Sequence, residues 1–350
     1  MRTGWALWLA VVSVPALAAG EAADWLVRIS EASRIANYRG VIVYQARDTQ
    51  ETLRVVHRFQ DGVEMERVQT LTGLPREIIK QDDRVICLLP RDRRVTVDRP
   101  TPKSLFPGLT LERVTQIGQV YEFDDLGQAR IAGRNCRGIA ITPRDDYRYG
   151  YEVWADALTA VPLKVNLIGR DGGVLEQMMF TQVEFPDRIP DTALQSELDP
   201  QQRFARLPVP VPAAAVPAIA VAPSVVPLPQ QPVVTVRLDR LPPGFKVVQR
   251  DLRPTADGKG VVEHLLLSDG LSAVSVFRAR KAAPARVFQG VSQMGAVHAY
   301  GRLQGSVHIT VVGEAPQETV RLIGESLQGE PLPEAAPSVA AAPSSAVPDR

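Results

Sequence analysis

The sequence predicts an α+β protein in two parts: a long antiparallel sheet with few helices, then a smaller mixed α/β domain. Three observations carry this. Between residues 129 and 185, short runs of alternating apolar and polar residues are separated by Gly, Pro and Asp turns, the pattern of antiparallel strands with one buried and one wet face. Between Leu207 and Pro232, eight prolines fall within 26 residues of nearly pure Pro, Val and Ala. Such a segment lacks an amide donor at every proline and favours extended polyproline geometry, so it reads as a semi-rigid spacer. Beyond it, strand-like runs end in one amphipathic helix.

Taken in order, Arg2 precedes an apolar run from Trp5 to Leu17, and Ala16-Leu17-Ala18 forms the small-x-small pattern of a secretory cleavage site. Residues 1–18 therefore read as a signal peptide. The run is shorter than the about 20 residues that a spanning helix needs. No second such segment follows, and no cysteine follows the cleavage site, which argues against lipoprotein anchoring. A soluble protein in a periplasm-like compartment is the expectation.

The first domain, 22–200, opens with a helix capped by Asp24, its stripe formed by Trp25, Ile29, Ala32 and Ala36. Strands follow at 40–46, 52–60, 63–70, 84–89 and 94–98. Residues 100–107 form a breaker-rich loop, and 111–121 read equally as helix or loop. Further strands fall at 129–134, 137–141, 149–154, 163–168 and 175–185, with Asp171-Gly172-Gly173 turning the last hairpin. The linker spans 201–232. The second domain, 233–328, shows strands at 233–238, 261–267, 273–278, 296–303 and 306–312. A helix at 317–327 places Val320, Ile323 and Leu327 on one face, with Pro316 at its first position. The Ala/Pro/Ser-rich tail, 329–350, reads as disordered. No internal repeat is visible.

Composition excludes more than it assigns. Forty Lys and Arg face 39 acids, and loss of Arg2 with the signal brings the mature charge to zero. This balance gives no reason to expect nucleic-acid binding. Residues 233–330 alone carry 12 basic and 9 acidic residues, a net of +3, a mild excess that fits an acidic partner and a solvated surface equally. The two cysteines, Cys87 and Cys136, lie in strand-like contexts. In an oxidising compartment they are candidates for one disulfide, with two buried free thiols as the alternative.

Chemistry that breaks bonds has no foothold. The four histidines, His57, His264, His298 and His308, have no nucleophile or metal partner at a recognisable spacing, although His298 and His308 could face each other across a hairpin. The acid pairs Asp82-Asp83, Asp124-Asp125 and Asp145-Asp146 sit at turns, where Asp serves the backbone. Hydrolase, nucleotide-binding and zinc-protease motifs are missing. The expectation is a binding protein without catalytic residue, metal or cofactor. Candidate ligand contacts are the Arg91-Asp92-Arg93-Arg94 cluster, since Arg91, Arg93 and Arg94 could pair with the phosphates of an anionic lipid. Ile42, Tyr44, Val56 and Leu88 could line an apolar lipid cavity if the sheet curls without closing. A plain hairpin tip and ordinary core are the competing readings.

Motifs in both domains resemble the RseB/MucB family, periplasmic regulators of the sigma-E (AlgU) envelope-stress response. They are Tyr38-Arg39-Gly40-Val41-Ile42-Val43-Tyr44, Arg130-Ile131-Ala132-Gly133-Arg134, Pro143-Arg144-Asp145 with Arg148-Tyr149, Trp154-Ala155-Asp156 with Pro162-Leu163-Lys164, and Leu175-Glu176-Gln177 with Phe180. In the second domain they are Ser268-Asp269-Gly270-Leu271 with Ser275-Val276-Phe277, and the run from Thr310 through Gly313 to Pro316. One departure is Thr159-Ala160-Val161-Pro162, where the family often carries glycine before its proline turn. Alanine there implies a turn without positive φ. The Pro-rich linker is also longer than usual.

The resemblance implies a first domain like the lipoprotein carriers LolA and LolB, an unclosed barrel covered by helices, and a small C-terminal α/β domain. It implies binding to the periplasmic segment of an RseA/MucA-type anti-sigma factor, shielding of that segment from the site-1 protease, and release on binding lipid or lipopolysaccharide. For the partner, the second domain offers the strand Ala273, Val274, Ser275, Val276 and Phe277 with the basic Arg278, Arg280 and Lys281. A lipid or lipoprotein carrier is the alternative, and a scaffold for polysaccharide export a third. Homo-oligomerisation stays open.

Overall fold

The computed structural model describes residues 15–47, 49–81, 84–89, 94–98, 109–197, 205–206, 236–254, 261–280 and 287–329, with backbone alone at some strand positions, Cys87 and Arg94 among them. Helix α1 (Pro15–Ile35) is followed by β1 (Tyr38–Ala46), β2 (Thr49–Gln60), β3 (Val63–Thr70), β4 (Glu77–Gln81), β5 (Arg84–Leu89) and β6 (Arg94–Asp98). A short helix α2 (Leu111–Ile117) leads into β7 (Tyr121–Ile131), β8 (Arg134–Pro143), β9 (Gly150–Asp156), β10 (Pro162–Ile168) and β11 (Val174–Glu184). A 3-10 turn (Asp191–Leu194) and β12 (Ala205–Arg206) complete the first part.

These strands form one sheet in the order β12-β6-β5-β4-β3-β2-β1-β11-β10-β9-β8-β7. It is antiparallel except where β12 runs beside β6. The order is linear, so the sheet stays unclosed, and β1 against β11 joins its two meanders. The concave face is filled by α1, whose Trp25, Leu26 and Ile29 pack with Tyr38, Ile42, Val55, Ile139, Val153, Leu163 and Phe180. Each such side chain contributes roughly 1.5–3 kcal/mol on burial, which anchors the helix.

The second part contains β13 (Val236–Leu238), β14 (Lys246–Pro254), β15 (Val261–Ser268), β16 (Ala273–Arg280), β17 (Gly290–Met294), β18 (Val297–Gln304), β19 (Val307–Glu314), α3 (Gln317–Ser326) and β20 (Leu327–Gly329). Six strands form an antiparallel sheet in the order β14-β15-β16-β19-β18-β17, and β13 pairs with β20. Val320 and Ile323 of α3 pack on Val274, Val276, Ile309 and Val311, giving a single helix-on-sheet core. The α+β class and unclosed antiparallel sheet agree with the sequence.

Several local expectations need correction. Helix α1 is not capped at Asp24 but passes through it, because Ala22 and Ala23 are strong helix formers that extend the turn. Pro316 is the N-cap of α3, with φ −54 and ψ 153, and not its first helical residue. His298 and His308 do not face each other: in the β18–β19 register His298 pairs with Gly313 and His308 with Leu303. The 111–121 segment resolves into α2, capped by Thr110, whose side chain accepts from the Arg113 amide.

Ala160 adopts φ +60, contrary to the turn expected of alanine. The strain of about 1–2 kcal/mol is met by Asp156. Its Oδ1 accepts from the amides of Leu158 (3.1 Å) and Thr159 (2.8 Å), and its main-chain carbonyl accepts from the Ala160 amide at 2.8 Å. Burial would raise the Asp156 pKa, but Arg134 and the Thr159 bonds outweigh it and hold the carboxyl below its usual value.

Candidate functional site

The candidate ligand residues do not share one wall. Ile42 and Tyr44 alternate onto the face covered by α1, where Ile42 is core and the Tyr44 hydroxyl donates to Glu176 Oε2 at 2.8 Å. Val56 faces the other way, packing with Ile189 and Leu194. Leu88 follows it, since Leu88 pairs with Glu77, Glu77 with Gln69, and Gln69 with Arg54, two residues from Val56. A four-residue cavity wall is therefore corrected by strand register: even-numbered positions of β1 and β2 point to opposite faces because the two strands pair even with odd. Arg91 and Arg93 lie outside the described residues. The backbone of Arg94 pairs with Leu89 and Ala205.

The partner candidates sit on an interior strand. Strand β16 lies between β15 and β19, so its main-chain hydrogen bonds are already used. Ala273, Val274, Ser275 and Val276 are buried, and Arg278 is 0 % exposed. Phe277 is half-buried, stacked on His264 at 4.6 Å, and Arg280 is exposed. Lys281 lies outside the described residues. Strand β16 thus offers a partner no free edge; alternation in a sheet with a helix on one face reads the same whether a strand is central or at an edge.

Cys136 is a buried free thiol, its pKa pushed up to about 11 chiefly by burial. It lies on β8, while Cys87 lies on β5, and seven strands separate them in the sheet. The disulfide pairing is therefore corrected to a free Cys136. Among the described residues, no group of three or more His, Cys, Asp or Glu is placed to hold a metal ion.

On the concave face the core passes into a polar row. Tyr38 pairs across strands with His57, His57 with Glu66, and Glu66 with Lys80. The His57 ring stacks on Tyr38 at 4.7 Å, and its Nε2 stands 3.5 Å from Glu64 Oε1, at ion-pair and not hydrogen-bond distance. Lys80 Nζ donates to the same oxygen at 2.6 Å. Burial would raise the Glu64 pKa, but His57 and Lys80 outweigh it and hold it at about 2, against an ordinary 4.5. A depressed folded-state pKa gives stability that is present above about pH 4.5 and is lost as pH falls toward about 2. Denaturant unfolding across that window is expected to show Glu64→Gln with a flatter acid limb than the parent. Burial instead raises the pKa of Glu66, with His57 and Lys80 pulling against it, so its slope lies above the window and does not mask that of Glu64.

The densest unforeseen feature is the joint between the two parts. The β8–β9 turn carries Arg148, buried although charged. Its Nε and Nη2 donate to Asp145 Oδ1 and Oδ2 at 2.9 and 3.0 Å, and Nη2 also donates to the Pro243 carbonyl at 2.5 Å. Its Nη1 donates to Asp269 Oδ2 at 2.6 Å, an oxygen that also accepts from the Tyr121 hydroxyl at 3.1 Å. The guanidinium lies over the rings of Tyr121 and Phe245, 5.4 and 5.3 Å from their centroids. Burial pushes the Asp269 pKa up, with Arg148 and two backbone amides pulling against it.

Leu271, from the β15–β16 turn, is a member of the first domain's core. Around this plug, Thr319 Oγ1 donates to the Tyr147 carbonyl at 2.6 Å and the Tyr149 hydroxyl meets His298 Nδ1 at 3.3 Å. Arg170 joins Asp146 at 3.1 Å and Glu318 at 3.2 Å. A cleft of about 490 Å³ opens nearby, between α1, α2 and β7, lined by Ala23, Val114, Gly118, Tyr121, Phe123 and Arg144. Arg148 and Asp269 both stand in the sequence motifs, yet turn chemistry explains an Asp before Gly and an Arg after Asp. An apolar Leu271 placed in the turn beside Asp269 was the available signal.

Sequence profiles of the MucB/RseB N-terminal and C-terminal domains match residues 21–198 and 230–328. The chain is 32% identical over 325 residues to the sigma factor AlgU regulatory protein MucB of Pseudomonas aeruginosa, covering 91% of this chain and 95% of that one. It is 28% identical over 304 residues to the sigma-E factor regulatory protein RseB of Salmonella typhimurium, covering 87% and 89%. Among solved structures, the MucA/MucB complex of Pseudomonas aeruginosa holds a chain similar at TM-score 0.67 and 27% identity, covering 89% of this chain and 99% of that one. A crystal structure of MucB is similar at TM-score 0.58 and 26% identity, covering 89% and 98%. With both profiles matched in order and both folds shared, the chain belongs to the MucB/RseB family.

Proposed function

We propose that the protein is a periplasmic negative regulator that binds the periplasmic segment of an RseA/MucA-type anti-sigma factor. It shields that segment from site-1 proteolysis and releases it when lipid or lipopolysaccharide binds. The observation that carries this reading is a likeness through both domains to a chain solved with MucA. A carrier of lipid would need only the first domain, whereas here the second domain is plugged into the first through Leu271 and Asp269. For lipid to act as the signal, it must bind the free regulator better than the complexed one.

The test is protection of the purified anti-sigma periplasmic segment from its site-1 protease by the mature protein, with and without lipopolysaccharide fragments. Slower cleavage that the fragments restore is the expected result. Cleavage at an unchanged rate would sink the regulatory reading and leave lipid transfer as the activity to assay.

A further inference from the structure

We propose that the β15–β16 turn, residues 268–272, is a releasable latch that sets the placement of the second domain on the first. Each half is complete before the other arrives. On the second domain, Asp269 Oδ1 accepts from the amides of Leu271 at 2.9 Å and Ser272 at 2.7 Å, so the turn is preorganised by its own backbone. On the first, Arg148 is held in its fork by Asp145 from the same turn. Parting the halves therefore leaves neither charge without a local partner, and water can take over the bond between them.

The surrounding contacts fit the same reading. Apolar contact across the joint is small: Leu271 enters the first domain's core and Ala296 packs on Tyr149 and Leu167. Gly270 lets the turn approach closely: a Cβ there, at φ +105, would stand 2.8 Å from Ile117 Cγ2. The remaining bonds across the joint described above are polar: Arg148 to the Pro243 carbonyl, Tyr121 to Asp269, Thr319 to Tyr147, Tyr149 to His298, and Arg170 to Glu318. Polar joints of this kind separate more readily than large apolar ones. The two states are a docked form, with Leu271 inserted and Arg148 bonded to Asp269, and a parted form with both solvated.

The latch stands on these contacts alone. Its use in switching a bound segment rests on the regulatory reading, so the experiment contains no partner and its failure is distinct from failure of that reading. Hydrogen exchange and small-angle scattering would be recorded for the mature chain and for Asp269→Asn and Leu271→Ser. The expected result is exchange faster on the order of tenfold or more in 145–149 and 268–272, unchanged protection in β9 and β16, and a larger radius of gyration. The proposal is overturned if both variants keep the parent's protection. It is equally overturned if protection falls throughout β9 or β16, or if neither variant folds, since a releasable joint is dispensable to each core. Should only Asp269→Asn fail to fold, Leu271→Ser gives the reading.

Discussion

Glu263→Ala is expected to destabilise the second domain by about 3–5 kcal/mol, read as an earlier transition in denaturant unfolding followed by circular dichroism. Glu263 and Arg278 are both 0 % exposed and stand directly opposite each other on β15 and β16. Arg278 Nη1 bonds Glu263 Oε2, while Arg250 Nε and Nη2 reach Oε1 at 2.7 and 2.5 Å. Removing the carboxylate takes from the buried Arg278 guanidinium the counter-charge that faces it on β15. Gly329 closes one side of it, so tightly that a Cβ there would stand 2.6 Å from Cζ.

The same geometry separates loss of a pair from loss of a charge. Arg250→Ala should cost about 1 kcal/mol, since its side chain is 33 % exposed and Glu263 keeps Arg278. Replacing both buried partners, Glu263→Met with Arg278→Met, should recover most of the loss, because two apolar side chains carry no desolvation penalty. If the double variant is as unstable as Glu263→Ala, packing volume and not charge governs the site.

Which features were legible follows from what each needed. Strands β8 to β11 were visible because alternation and Gly/Asp turns are local, and the hairpin at 171–173 closes as its residues require, with the Gly169 amide bonded to the Gly173 carbonyl at 2.8 Å. Strand β14 was not, since Lys246, Gln249, Arg250 and Asp251 break its alternation and Val247 and Val248 are exposed along an outer strand. The candidate sites required more than periodicity. Whether Val56 shares a wall with Ile42 depends on pairing parity, and whether β16 meets a partner depends on its rank in the sheet. Arg148 and Asp269 are 121 residues apart, and a pairing at that separation leaves no trace in local composition.

Gly40→Ala is expected to cost about 3 kcal/mol, at the upper end of overpacking penalties, and to be seen as a lower unfolding midpoint with loss of native-like near-ultraviolet signal. Gly40 lies in β1, where the two meanders of the large sheet meet at β11. A Cβ at this position would overlap the Gln182 carbonyl oxygen and stand 2.9 Å from the Phe180 ring. The first is backbone within the ladder and cannot rotate away. The second is core, packed edge-on against Tyr38 with centroids 6.1 Å apart. The pairing already carries an irregularity between Val41 and Ile42, so relief would have to come from moving β11 away from β1 and loosening α1 above both. Gly62→Ala is the control for conformational strain alone. Gly62 has φ +81, and a methyl added there would meet nothing within 4 Å, so its cost should stay near about 1 kcal/mol. A Gly40→Ala penalty no larger than that of Gly62→Ala would mean that β1 and β11 part without resistance, and that the sheet's centre is not the clamp its register describes.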